Sequence, residues 1–147
     1  MSDTENQEVE ITSTVDVDDF LLSNKKTTID FRKALAHAVS ETGKISKIIK
    51  MAFGNGGETD DQGNPEVPSD TGGLNNLLLT KDISIITYPS ETSVCFECEI
   101  AAGELTANIN EVALIGENDE TFAKMRLYTS KGTDAESGLV FKWTLEF

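Results

Sequence analysis

From Leu139 to Phe147 apolar and polar residues alternate. Leu139, Phe141, Trp143, Leu145 and Phe147 fall on one side, and Val140, Lys142, Thr144 and Glu146 on the other. Successive side chains of a strand point to opposite faces, so this pattern predicts a β-strand with one buried face. That face carries three of the ten aromatic residues, including the only tryptophan. The strand is expected to close a sheet. Residues 45–53 read as another strand, with Ile49, Met51 and Phe53 on one face. Residues 82–88 and 93–100 predict a hairpin across Pro89-Ser90-Glu91-Thr92. Residues 109–115 and 121–129 predict a second around Gly116-Glu117-Asn118-Asp119.

One stretch follows the helical period instead, residues 29–41. Thr27 followed by Asp30 reads as a capping box, and Gly43 sits where a helix ends. Ile29, Leu35, Ala38 and Val39, with Phe31 nearby, form its expected apolar stripe, and Ala34 and Ala36 permit close packing. Residues 74–79 read as a short helical turn. Between strand and turn runs GNGGETDDQGNPEVPSDTGG, residues 54–73, rich in glycine and acids with two prolines. Such a loop cannot pack a core of its own, and loops of this length are usually functional or disordered. The expected fold is α+β: one N-terminal helix on a mainly antiparallel sheet of about five to six strands, joined by short connections. Residues 1–25 read as a flexible acidic arm and residues 26–147 as a single domain. Val15, Val17, Phe20, Leu21 and Leu22 are the arm's candidates for docking as a strand or turn.

Charge changes this picture more than composition does. The 147 residues carry 26 acids against 12 bases, a net −14, which argues against nucleic-acid binding. Residues 1–20 hold seven acids and no base. Lys25, Lys26, Arg32, Lys33, Lys44, Lys47 and Lys50, seven of the twelve bases, lie within residues 21–50. This stretch is either a solvated face or a basic patch that docks onto an acidic neighbour, with a second copy as one candidate. No run of about 18 apolar residues predicts a membrane span. The polar start, MSDTENQEVEIT, shows no signal-peptide pattern, so the chain is expected to be made in the cytoplasm.

Candidate chemistry is sparse. Cys95 and Cys98 form a C-x-x-C, but an odd separation in a strand sends the sulfurs to opposite faces. That geometry suits neither a disulfide nor a shared metal. Cys98 reads as a core residue and Cys95 as a surface thiol. His37, the only histidine, lies on the helix without a nucleophile motif and reads as a surface or interface residue. The glycines of residues 54–57 lack the lysine of a phosphate cradle. Asp60, Asp61, Asn64 and Glu66 are candidate oxygen ligands of a calcium loop, though not with EF-hand spacing. An alternative reading is thus a calcium- or carbohydrate-binding β-rich module using loop 54–73. No hydrolase motif appears, and neither a catalytic residue nor a cofactor is assigned.

The succession of pieces resembles the N-terminal domain of phage tail-collar fibre proteins, found also in tailocins and other contractile injection systems. The resemblance rests on Met51-Ala52-Phe53-Gly54-Asn55-Gly56-Gly57, then Pro65 and Pro68, then Asn110-Glu111-Val112-Ala113-Leu114-Ile115-Gly116. Arg126-Leu127-Tyr128, Lys131 and residues 139–147 complete it. It implies a structural, non-enzymatic component of a phage or phage-like tail: a fibre-attachment, collar or baseplate adaptor. It further implies other tail proteins as partners and a place in the particle's tail. A homo-oligomer, trimer or hexamer, is the associated hypothesis, with the basic stretch as its interface.

Overall fold

The structure, a computed structural model, describes residues 7–14 and 25–147 apart from residues 60, 64, 65, 67 and 70. Nine strands form among the described residues. They are β1 (Gln7–Thr14), β2 (Lys25–Thr27), β3 (Ile48–Gly54), β4 (Leu77–Asp82) and β5 (Ile85–Ser90), then β6 (Ser93–Ile100), β7 (Ala107–Gly116), β8 (Thr121–Thr133) and β9 (Leu139–Glu146). They divide into a four-stranded sheet, ordered β1-β9-β6-β5, and a five-stranded sheet, ordered β2-β8-β7-β3-β4. β1 runs parallel to β9, whereas the other pairings are antiparallel. The expected single sheet of five to six antiparallel strands is therefore corrected to a mixed two-sheet sandwich. The one helix among the described residues is α1 (Ile29–His37), extended by a π-helical turn, Ala38–Thr42.

The chain changes sheet at one short corner. Ile83 N–H still donates to Ile49 O of β3, while Ser84 N–H already donates to Glu97 O of β6. No turn signal marks this step, which is why one continuous sheet is the simpler reading of the sequence. Both sheets have one strongly apolar face, and each hides it against the other. β9 alternates as expected, with Leu139, Phe141, Trp143 and Leu145 at most 1% exposed. It is a central strand, flanked by β1 and β6, and not an edge. Across from it Met51, Phe53, Val112 and Leu114 are fully buried, and the Phe53 and Phe141 rings meet at 4.7 Å.

Several local expectations need correcting. Phe147 lies beyond β9 and is 60% exposed. Residues 77–79 belong to β4, not to a helical turn. Three leucines in a row carry no period, and pairing with β3 decides. The helix cap is Thr28, whose Oγ1 accepts from Phe31 N–H at 3.2 Å and donates to Thr121 O on β8 at 2.5 Å. Thr27 is occupied instead as the last residue of β2. The stripe is also different: Phe31 is buried against Phe122, with centroids 4.8 Å apart, while Ile29 and Val39 are exposed. Gly43 ends the helix in the left-handed region, φ 66°, as expected. Within the acidic arm residues 7–14 form β1, with Val9 buried and Glu8 paired to Lys142 at 3.1 Å. Val15, Val17, Phe20, Leu21 and Leu22 lie outside the described residues.

Phe141 touches both sheets, so Phe141→Ala is expected to lower the unfolding free energy by about 3–5 kcal/mol in urea titration. Trp143 fluorescence is the readout. In the native chain it resists quenching by iodide, and it becomes quenchable in the same transition that melts the sheets.

Candidate functional site

The glycine-rich loop does not float free of the sandwich. Along β7 and β8 the residues that alternate with the core positions point away from the other sheet, and Glu111, Lys124 and Arg126 are among them. Glu111 is 5% exposed. Its Oε1 accepts from Asn75 N–H at 2.9 Å, and its Oε2 accepts from Gly56 N–H and Asn76 N–H, each at 2.8 Å. Asn110 Oδ1 takes the Gly57 N–H at 2.9 Å. Both ends of the loop are thus tied to one carboxylate on β7.

Two cations tie down the middle. Lys124, 4% exposed, donates from Nζ to Thr71 O at 2.8 Å and Gly73 O at 3.3 Å. Arg126 donates from Nε to Glu58 O at 3.0 Å and from Nη2 to Thr59 Oγ1 at 3.0 Å. Burying a charge is costly unless it is hydrogen-bonded, and here the loop backbone supplies that bonding. The close approach also explains the glycines. A Cβ on Gly54 would stand 2.6 Å from Glu111 Oε2, and one on Gly57 would run into the Arg126 side chain. A cleft of about 280 Å³ remains between loop and sheet, lined by Glu58, Glu66, Ser69, Glu111, Lys124 and Arg126. The sequence shows Glu111 and Arg126 only as parts of strands. A charge on the outward face of a buried strand is the sole signal that it has local partners.

Other candidates are scattered. Asp61 and Glu66 of the calcium set are exposed, and Asp60 and Asn64 lie outside the described residues. No group of three or more His, Cys, Asp or Glu is placed to hold a metal among the described residues. Cys95 and Cys98 are free and on opposite faces of β6. Burial, partly offset by Lys81, pushes the Cys98 thiol up to about 11, so it stays protonated. Cys95 is 8% exposed, buried where a surface thiol was expected. His37 is exposed beside Glu41 at 3.4 Å. The seven basic residues are spread out. Lys25 and Lys26 sit on the edge strand β2, Arg32 and Lys33 on α1, and Lys44 and Lys47 before β3. Lys50, on β3, is three strand spacings from β2, about 14 Å.

A second feature is apolar. β5 ends the four-stranded sheet, and Ile85, Ile86 and Tyr88 on it are 49%, 48% and 76% exposed. Beside it a groove of about 520 Å³ is lined by Ile48, Ile49, Ile83, Ile86, Val94 and Lys47, among others.

Comparison of the chain with protein-family models, curated proteins and solved structures finds no match. The fold expected from the sequence pattern, on which the tail-collar resemblance is laid, is a helix on one antiparallel sheet, and the sandwich differs from that. The identity that resemblance carried, a phage tail, virion, fibre, collar, baseplate or tailocin protein, is corrected on both grounds.

Two outcomes follow from this geometry. Glu111→Ala strips the acceptor from three loop N–H groups. It is expected to cost about 3 kcal/mol of stability and to speed amide exchange over residues 54–76 ahead of the β9 core. The second concerns Glu104, held below its ordinary carboxyl range by Lys81 Nζ at 2.7 Å and then by Ala101 N–H. A depressed carboxyl stabilises the fold above its unfolded value and loses that contribution as pH falls through the folded one. Below about pH 4.5 the wild type is expected to lose stability more steeply than Glu104→Gln in thermal melts.

Proposed function

We propose that this chain is a structural, non-catalytic subunit of a larger protein assembly and that it joins a second copy of itself through β5. The observation that carries the reading is the charge pattern of the four sheet edges. β1 carries Glu8 and Glu10, β2 carries Lys25 and Lys26, and β4 carries Lys81 and Asp82. Charges on an edge strand oppose pairing with another chain. β5 has none. From Ile83 to Ser90 eight consecutive residues are uncharged, in a chain of net charge −14.

Two copies that share so large a charge repel least where acids are missing. The β5 edge is such a place, and Lys47 lines its groove. A two-fold contact pairs residues 85–88 of β5 with their counterparts, stopping short of Pro89, which has no N–H to donate, and continues both four-stranded sheets into one. One strand edge falls short of the roughly 800 Å² per partner of a stable interface, so the groove of Ile48, Ile49 and Ile83 is covered as well. Lys47 then contributes to the same contact, whereas Lys25, Lys26, Arg32, Lys33, Lys44 and Lys50 serve further acidic neighbours.

Sedimentation velocity on the full chain is the test. The wild type is expected to sediment as a dimer or a multiple of one. Ile86→Lys/Tyr88→Lys is expected to sediment as a monomer with an unchanged melting temperature, since Ile86 is already about half exposed and Tyr88 more so. A monomeric wild type at the highest workable concentration, or a double variant that still assembles, overturns the reading.

A further inference from the structure

Asn55 and Gly56 follow β3 at the start of the glycine loop, and each is gripped at an atom that matters chemically. Gly56 N–H donates to Glu111 Oε2 at 2.8 Å, and Asn55 Oδ1 accepts from Asn76 Nδ2 at 2.5 Å. An asparagine followed by glycine cyclises when the next backbone nitrogen attacks the side-chain carbonyl carbon. Two things slow that step: the amide proton must leave, and negative charge builds on the side-chain oxygen. Here a carboxylate already holds that proton and a donor already sits on that oxygen, the arrangement that serves general-base and oxyanion catalysis.

We propose that Asn55–Gly56 is a self-modification site, at which the folded chain converts Asn55 to a cyclic imide. Gly56 N attacks Asn55 Cγ and the new C–N bond forms. The nitrogen uses the electron pair perpendicular to its amide plane, so its in-plane N–H stays on Glu111 Oε2, which takes the proton. The oxygen of the tetrahedral intermediate is held by Asn76 Nδ2. The Cγ–Nδ2 bond of Asn55 then breaks, and Glu111 returns the proton to the departing ammonia. Water opens the imide at either carbonyl and leaves aspartate or isoaspartate at position 55. Oxidation states do not change.

The glycine of this dipeptide is fixed by packing. A Cβ on Gly56 would stand 2.6 Å from Asn76 N and 2.8 Å from Asn75 Cβ, so the loop needs glycine there. Imide formation has a structural consequence, because it removes the Gly56 N–H. Glu111 keeps only its Asn75 and Asn76 donors, and hydrolysis then adds a carboxylate close to that of Glu111. Both changes loosen the loop over the cleft.

The test is peptide mapping by mass spectrometry of the full chain, held at neutral pH either native or in denaturant. It follows loss of ammonia at residues 55–56 and the later appearance of aspartate and isoaspartate. The native chain is expected to convert about tenfold or more faster than the denatured one, with Asn118 as a slow internal reference. Asn76→Ala keeps the residue 76 backbone N–H on Glu111 and removes only the oxyanion donor. It is expected to slow native conversion severalfold and leave the denatured rate unchanged. Glu111→Gln, if folded, slows it further. Native conversion no faster than denatured, or insensitive to Asn76→Ala, overturns the proposal.

Discussion

Phe53 of β3 and Phe141 of β9 meet at 4.7 Å across the space between the sheets, and most of the architecture is arranged to keep that space dry. Neither sheet is viable alone, since each has one face made of large apolar side chains. Burying a residue such as phenylalanine or leucine contributes about 1.5–3 kcal/mol, more than surface ion pairs such as those of Lys81 or His37 supply. The polar work is therefore displaced to the outward faces. There the sequence can place Glu111, Lys124 and Arg126 without disturbing the core, and there the loop is held.

What could be read from the sequence follows from what a period can encode. Alternation says which residues of a strand face inward. It identifies β9, Cys98 as an inward residue of β6, and both hairpins. It says nothing about which strands are neighbours. β1 lies beside β9 with Val9 opposite Phe141, more than a hundred residues apart in the chain and with no turn signal joining them. The two-sheet division turns on Ile83 and Ser84, two ordinary residues whose N–H groups choose different partners.

The site was harder still to read, for a different reason. Residues 54–73 have the composition of a solvated loop, and composition suggests that the glycines provide freedom. In the fold Gly54, Gly56 and Gly57 provide closeness: each lies where a Cβ would strike Glu111, Asn76 or Arg126. Loop and sheet depend on each other. Glu111 and Lys124 tolerate burial because loop backbone groups surround them, and the loop keeps its path because those charges draw it in. Neither half of such an arrangement shows in a local pattern.

A buried carboxylate with several N–H donors is an effective clip because it concentrates polar bonding at one point. That concentration also removes slack. Held to Glu111 on one side and to Asn76 on the other, the Asn55–Gly56 unit has fewer conformations than a free loop. A fold that needs glycine at position 56 for packing, and an acceptor at Glu111 for burial, brings base and nucleophile together whether or not their reaction is useful. Since the packing demand fixes Gly56 and the clip fixes Glu111, Asn55 and Asn76 are the positions left free to tune the reaction. That makes Asn76, whose side chain is not needed for the clip, the residue at which structure and chemistry can be separated.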